Sequence, residues 1–400
     1  MNSAQTVNFG LSSAALEGVG TRPFGIYIHV PFCATRCGYC DFNTYTAGEL
    51  GSSASPQSWL EAMARELELA ADLLAQSPGG IPRANTVFIG GGTPSLLGGL
   101  MLGRVLDLVR NTFGLAPDAE ITTESNPEST SPEFFGDLLA AGFTRLSLGM
   151  QSAVPHVLAT LDRVHTPGRA QTSVAEARRA GFEHVNLDLI YGTPGERDED
   201  LDTSLEAVVS AGVDHVSAYA LIVEDGTALS RRIRRGELSM PDDDVLADRY
   251  VRVDNALSKA GFTWYEVSNW AKTDSGRCRH NLGYWDGGDW WGAGPGAHSH
   301  IGGVRWWNLK HPARYADVLA QATLPVGGVE TLTAVEQHTE RVMLTTRLAT
   351  GIPVGALAES ERAAAASAVT DGLLSATGDR FVLTDRGRLL ADGVIRSILA

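Results

Sequence analysis

The chain has 400 residues, 44% hydrophobic and 20% charged, the proportions of a globular protein with room for more than one folded unit. Its formal net charge of −15 argues against bulk nucleic-acid binding, which needs a basic footprint, and no segment is apolar for long enough to span a membrane. Four cysteines, three of them between Cys33 and Cys40, do not make a disulfide framework; in a reducing compartment so tight a group points to metal or redox chemistry.

Residues 1–22 are small, polar and Gly-rich, without a basic stretch followed by an apolar one. They read as a flexible tail rather than a secretory leader, and the protein is expected to be cytoplasmic. A strand–helix alternation then fills 23–235. Candidate strands are 24–30, 85–91, 120–126, 145–151, 184–192 and 215–223, short and rich in β-branched residues between turn signals. Amphipathic runs at 58–74, 102–113, 132–142 and 200–212 lie between them, several ending in Gly. Six βα units in a row imply a parallel sheet, either open or a partial barrel. The basic run Arg231–Arg235 reads as a solvated helix face.

Over 236–325 the pattern becomes Trp- and Gly-rich, and six of the eight tryptophans fall between Trp270 and Trp307. Residues 326–400 are Ala/Leu-rich. Two helices, a hairpin turning at Thr377-Gly378-Asp379 and a final helix make a small winged-helix-like unit. Its charge is not basic enough for DNA, so a structural or partner-docking role is expected.

The three cysteines follow the first strand, where α/β folds put their chemistry. Three thiolates cannot close a tetrahedral zinc site alone; a fourth ligand such as Cys278 or a His would complete a zinc knuckle. They equally suit a [4Fe–4S] cubane with one iron left open. Around the same sheet edge stand "GGGTP" (90–94), Glu124, Gln151, Arg163 and Asp188. Glycines admit close backbone approach, the carboxylates suit an ammonium or ribose hydroxyls, and Arg163 suits a carboxylate. That set fits an amino-acid nucleoside.

The stretch "YIHVPFCATRCGYCDFN" resembles the radical S-adenosylmethionine (SAM) signature. "IGGGTPS", "ESNP", "RLSLGMQS", "LDRVH" and "DLIYGTPGE" resemble, in order, motifs of its coproporphyrinogen III dehydrogenase-like branch. The resemblance implies a partial (β/α)6 TIM-like barrel, followed by a family-specific region and the winged-helix-like unit. It implies a [4Fe–4S] cluster on Cys33, Cys37 and Cys40, and a SAM pocket formed by Tyr27, Tyr39, Gly91, Gly92, Thr93, Glu124, Gln151, Arg163, Asp188 and Ala220.

Within that branch two activities compete, an oxygen-independent coproporphyrinogen III oxidase and a HemW-type heme chaperone. The oxidase pattern continues C-x3-C-x2-C-x-C, whereas this chain has Phe42 at the last position, as in the chaperone pattern. The oxidase also carries an N-terminal extension, and only about 23 residues precede the first strand here. The chaperones' H-N-x-x-Y-W motif stands as His280–Trp285. The resemblance therefore makes heme a third cofactor and His280 its candidate ligand, with Cys278 as a second. His298 is a further, weaker candidate, and His300 is expected at the surface. Heme-accepting, respiratory hemoproteins and an electron donor such as a flavodoxin or ferredoxin are the implied partners.

Overall fold

The computed structural model describes residues 9–51 and 54–400. Six strands run parallel in sequence order: β1 (Phe24–Val30), β2 (Ala84–Gly91), β3 (Leu115–Ser125), β4 (Arg145–Gln151), β5 (His184–Tyr191) and β6 (His215–Ala220). Helices follow most of them in the expected places, at Pro56–Leu74, Gly99–Phe113, Pro132–Ala141 and Asp198–Ser210, with another at Arg169–Ala180. The last is polar along most of its length, which hid it from a periodicity reading.

Local chemistry explains the boundaries. Ser55 caps the first long helix by accepting from Ser58 N, and Pro56 occupies its first turn. Trp59, Met63, Leu67, Ala70 and Leu74 then recur at helical spacing and are buried, each large side chain contributing roughly 1.5–3 kcal/mol. Ser131 caps Pro132–Ala141 in the same way, and Gly142 ends it with a φ of 105°.

The sheet does not stop at six strands. It continues through β7 (Thr263–Glu266), β8 (Asn269–Ala271), β9 (Asp289–Ala293), β10 (His298–Ile301), β11 (Val304–Asn308) and β12 (Val326–Thr331). Among the described residues it has 12 strands, ordered β12-β11-β10-β9-β1-β2-β3-β4-β5-β6-β8-β7. β9 adds parallel to β1, and β8 adds antiparallel to β6. The Trp-rich region thus extends both edges of the barrel sheet, and Trp270, Trp291 and Trp306 share its core.

The expectation of a flexible tail is corrected for residues 9–22; residues 1–8 lie outside those described. Ser13–Glu17 is a helix capped by Ser12, Ala15, Leu16 and Val19 are buried, and Phe9 packs on Trp306 at 4.7 Å. Too few apolar residues stand there to show in composition. From Val342 to Ile398 a second core forms around three short strands. Its hairpin turns at Gly378, which has a φ of 58°. Arg388 ties this unit to the barrel by pairing with Asp254 at 2.8 Å and lying over Trp264 at 4.7 Å. In the basic run, Arg231, Arg234 and Arg235 are exposed.

Candidate functional site

β1 leads directly into the cysteine loop. Phe32–Cys33 pairs with Tyr45–Thr46, and Tyr45 N donates to Pro31 O at 2.7 Å, so the loop is closed at its base. At its tip Gly38 N donates to Leu161 O (3.0 Å), and Gly38 O accepts from Leu229 N (2.8 Å). On the flank runs the GGGTP turn, where Gly92 N donates to Val30 O (2.7 Å) and Thr93 N to Phe32 O (2.8 Å). A Cβ at Gly92 would stand 2.5 Å from Phe32 O, so only glycine lets the turn meet the loop this closely. The glycines expected to admit a ligand thus also seat the loop.

The three thiols are free and half-buried. Cys33 Sγ lies 3.8 Å from the Thr93 hydroxyl and Cys37 Sγ 3.3 Å from Arg163 Nη1. Burial raises the Cys33 thiol, and pushes Cys40 up to about 11, so a cation is needed to hold them as thiolates. Among the described residues no three His, Cys, Asp or Glu side chains stand as an assembled metal set. The donor chemistry itself, three soft sulfurs on a loop fixed at base and tip, fits an iron–sulfur cluster.

Beside the loop lies a cavity of about 220 Å³ lined by Tyr27, Phe88, Glu124, Asp188, His280 and Tyr284. Glu124 accepts from Gly91 N at 2.9 Å, and Asp188 accepts from Asn186 (2.7 Å) and Ser147 (3.1 Å). Burial, and then the charge of Asp188, push Glu124 up to about 8; burial likewise raises Asp188. Two carboxylates in one half-buried space call for a cationic ligand. Arg163 lies outside the lining but links it to the loop: it donates to Cys37 Sγ (3.3 Å), Gly149 O (3.0 Å) and His165 (2.6 Å), and its charge acts on Asp188. Of the expected pocket residues, Tyr27, Glu124 and Asp188 share this cavity, Gly91 bonds Glu124, and Thr93 and Arg163 touch cluster cysteines. Gly91, Gly92, Thr93 and Arg163, like Tyr39, Gln151 and Ala220, are outside its lining. Gln151 ends β4 with a φ of 65°, a costly conformation for a non-glycine residue.

The segment 276–280 is pinned from below. Glu120 and Arg145 form a buried pair; Glu120 accepts from the Arg279 and His280 amides, each at 3.0 Å, while Arg145 donates to Gly276 O (2.6 Å) and Arg277 O (2.9 Å). His280 is thereby swung into the cavity wall. Its Nδ1 meets Thr86 Oγ1 at 2.8 Å, its Nε2 meets Tyr284 OH at 2.8 Å, and its ring stacks on Phe88 at 5.2 Å. Burial lowers its pKa to about 3, so the ring is neutral with both nitrogens engaged. Cys278 is buried with Sγ 3.6 Å from Glu120, and burial pushes its thiol up.

Residues 27–208 match the Radical SAM superfamily and residues 332–390 the HemN C-terminal domain. The chain is 64% identical to the heme chaperone HemW of Mycobacterium tuberculosis (strain H37Rv) over 94% of its own length and 95% of that protein's. The chain belongs to the HemW family. It is also 33% identical to HemW of Bacillus subtilis, across 93% of this chain and 98% of that one. Among solved structures, coproporphyrinogen III oxidase (HemN) from Escherichia coli shares the fold with a TM-score of 0.81 at 23% identity, over 98% of this chain and 94% of that one. Membership of the Radical SAM superfamily implies a [4Fe–4S] cluster and SAM. No helix among the described residues is long and apolar enough to cross a membrane.

His280 has both ring nitrogens hydrogen-bonded, to Thr86 and Tyr284, and Cys278 is a buried thiol beside Glu120. His300 is not at the surface: it is buried, bonded to Gly288 O (2.9 Å) and the Gly303 amide (3.2 Å), and it braces the β10–β11 turn. Sequence reasoning also passed over Tyr284, Glu120 and Arg145. Tyr284 was visible inside the motif but carried no assigned role. Glu120 and Arg145 showed only as charges opening the expected strands 120–126 and 145–151, which does not name their partners.

Proposed function

We propose that this protein is a radical SAM heme chaperone that binds heme and passes it to acceptor hemoproteins. In this reading Cys33, Cys37 and Cys40 hold a [4Fe–4S] cluster, Glu124 and Asp188 face the cationic part of SAM, and Arg163 faces its carboxylate. The reading rests above all on one juxtaposition: a closed three-cysteine loop beside a paired-carboxylate cavity with an arginine between them. When bound, cluster and SAM supply one-electron chemistry at the sulfonium. The chain's own part is to orient SAM, keep bulk water from the cavity and hold the loop still. A flavodoxin or ferredoxin is the proposed electron donor.

The chaperone reading is favoured over the oxidase reading by Phe42, which is 58% exposed beside the cysteines where the oxidase pattern has a fourth cysteine. A saturable Soret band on titrating heme into the anaerobically reconstituted protein is expected, with no conversion of coproporphyrinogen III under reducing conditions with SAM. Conversion at an ordinary enzymatic rate, on the order of 1 per second or faster, would make the protein an oxidase.

The raised Glu124 gives a pH test. Its folded value of about 8 means that the carboxyl is mostly protonated at pH 6 and must lose that proton to face a cation. SAM affinity of the reconstituted protein is expected to rise as pH goes from 6 to 8, by up to about tenfold per unit. Glu124→Gln should bind more weakly and lose most of that slope. A slope unchanged in the variant assigns the proton to another group.

A further inference from the structure

The heme reading leaves open where the tetrapyrrole sits, and the two cavities at the cysteine loop differ enough to decide it. The one that holds His280 measures about 220 Å³, below the roughly 300–1,000 Å³ typical of sites for ligands of this size. The other measures about 610 Å³ and lies on the far side of Tyr27 and Tyr284, which border both. The loop residues Asp41, Phe42 and Asn43 form one wall, and Trp290 and His298 stand on another.

The larger cavity has the chemistry of a flat apolar dianion with a metal at its centre. Phe42 presents an exposed ring that no core claims, and Trp290 packs edge-on to Tyr284 at 4.7 Å, leaving apolar faces toward the cavity. Lys310 and Arg305 line it as cations. Arg305 already pairs with Glu330 and Glu340, whereas Lys310 has no ion-pair partner among the described residues. His298 is exposed here, its ring stacked on Trp307 at 5.7 Å, and neither of its nitrogens makes a hydrogen bond among the described residues. Partial desolvation and the nearby Lys310 lower its pKa from the ordinary imidazole value, so the imidazole is neutral with a free lone pair at physiological pH. His29 and His300 also line the cavity, but each has both ring nitrogens engaged.

Resting on the heme-chaperone reading above, we propose that heme is carried in this larger cavity beside the cysteine loop, with His298 as its axial ligand and Lys310 as a propionate partner. His280 then acts as a positioning residue that orients Tyr284, the wall between cargo and SAM site. The placement puts the cargo against Asp41–Asn43, on the loop that bears the cysteines.

The test is a hemin titration of the full-length protein followed by the Soret band and by electron paramagnetic resonance, on wild type, His298→Ala, His280→Ala and Lys310→Ala. In His298→Ala the band is expected to move, the axial-ligand signature to change, and affinity to fall at least tenfold. Added free imidazole should restore the wild-type band, which a misfolded variant would not allow. His280→Ala should keep the wild-type band position, and Lys310→Ala should weaken binding by about threefold to tenfold without moving it. A wild-type protein that shows no saturable band overturns the heme reading and this proposal together. A wild-type band that persists unchanged in His298→Ala, or that is lost in His280→Ala alone, overturns the ligand assignment and leaves the heme reading standing.

Discussion

Replacing Cys37 by alanine is expected to leave a folded protein that cannot hold a [4Fe–4S] cluster. The loop's shape does not depend on the thiol: it is set by the Tyr45–Pro31 and Gly38–Leu161 backbone bonds and by Leu229 N on Gly38 O. The lost contact is one sulfur–guanidinium interaction with Arg163, so stability should change by no more than about 1 kcal/mol. A cubane with three protein thiolates, by contrast, has none to spare. Iron and sulfide analysis after anaerobic reconstitution should give about four of each in wild type and less than about one in the variant. Cys278→Ala is the control. Its thiol is buried against Glu120, so that variant should retain the full iron content even if it is less stable. Full iron in Cys37→Ala, or stoichiometric zinc in wild type, would remove the cluster from the account.

The largest stability loss is expected from Glu66→Ala. Glu66 sits on the first long helix, fully buried, and accepts hydrogen bonds from four donors that the sequence scatters over the Trp-rich region. These are Gly294 N (2.9 Å), Asn308 Nδ2 (2.7 Å), Trp291 Nε1 (3.4 Å) and the Tyr315 hydroxyl. Alanine would strand all four and open a cavity, a loss of about 3–5 kcal/mol, read from the midpoint of chemical unfolding at constant slope. The same burial raises Glu66 to about 7. The folded state therefore binds a proton that the unfolded chain, with an ordinary carboxyl near 4.3, has released. The resulting stability is full below about pH 4.3 and is lost as pH rises through 7, at no more than about 1.4 kcal/mol per unit. Glu66→Ala should flatten that slope. A variant within about 0.5 kcal/mol of wild type would mean that the four donors find water instead.

Glu66 also marks the limit of what could be read from the chain. Strands 24–30 and 145–151 were legible to the residue, because alternating or continuous apolar runs between turn signals are local properties. The helices were legible from their amphipathic runs, with three of the four expected starts, 58, 102 and 200, falling two or three residues after Pro56, Gly99 and Asp198, and the cysteine loop was legible from spacing alone. β3 begins at Leu115, five residues before the expected start, and β6 stops at Ala220, three before its expected end. In both cases pairing with a neighbouring strand, not composition, fixes the ends.

The sequence by itself determined the parallel core, the three-cysteine loop, the identity of the family and the candidate cofactors. Only the tertiary structure decided that the Trp-rich region extends both edges of the same sheet. β9 pairs with β1 from more than 250 residues away, and no local period encodes such a choice. The histidines were decided in the same way. His280, His298 and His300 are alike in sequence context, two of them separated by a single serine. His298 and His300 lie on the same face of β10 and both border the larger cavity; the Gly288 carbonyl and the Gly303 amide engage His300, no hydrogen bond among the described residues engages the His298 ring, and Glu120 and Arg145 hold His280 against Tyr284. Which imidazole keeps a lone pair is a question of partners, and the partners come from elements that meet only when the chain has folded.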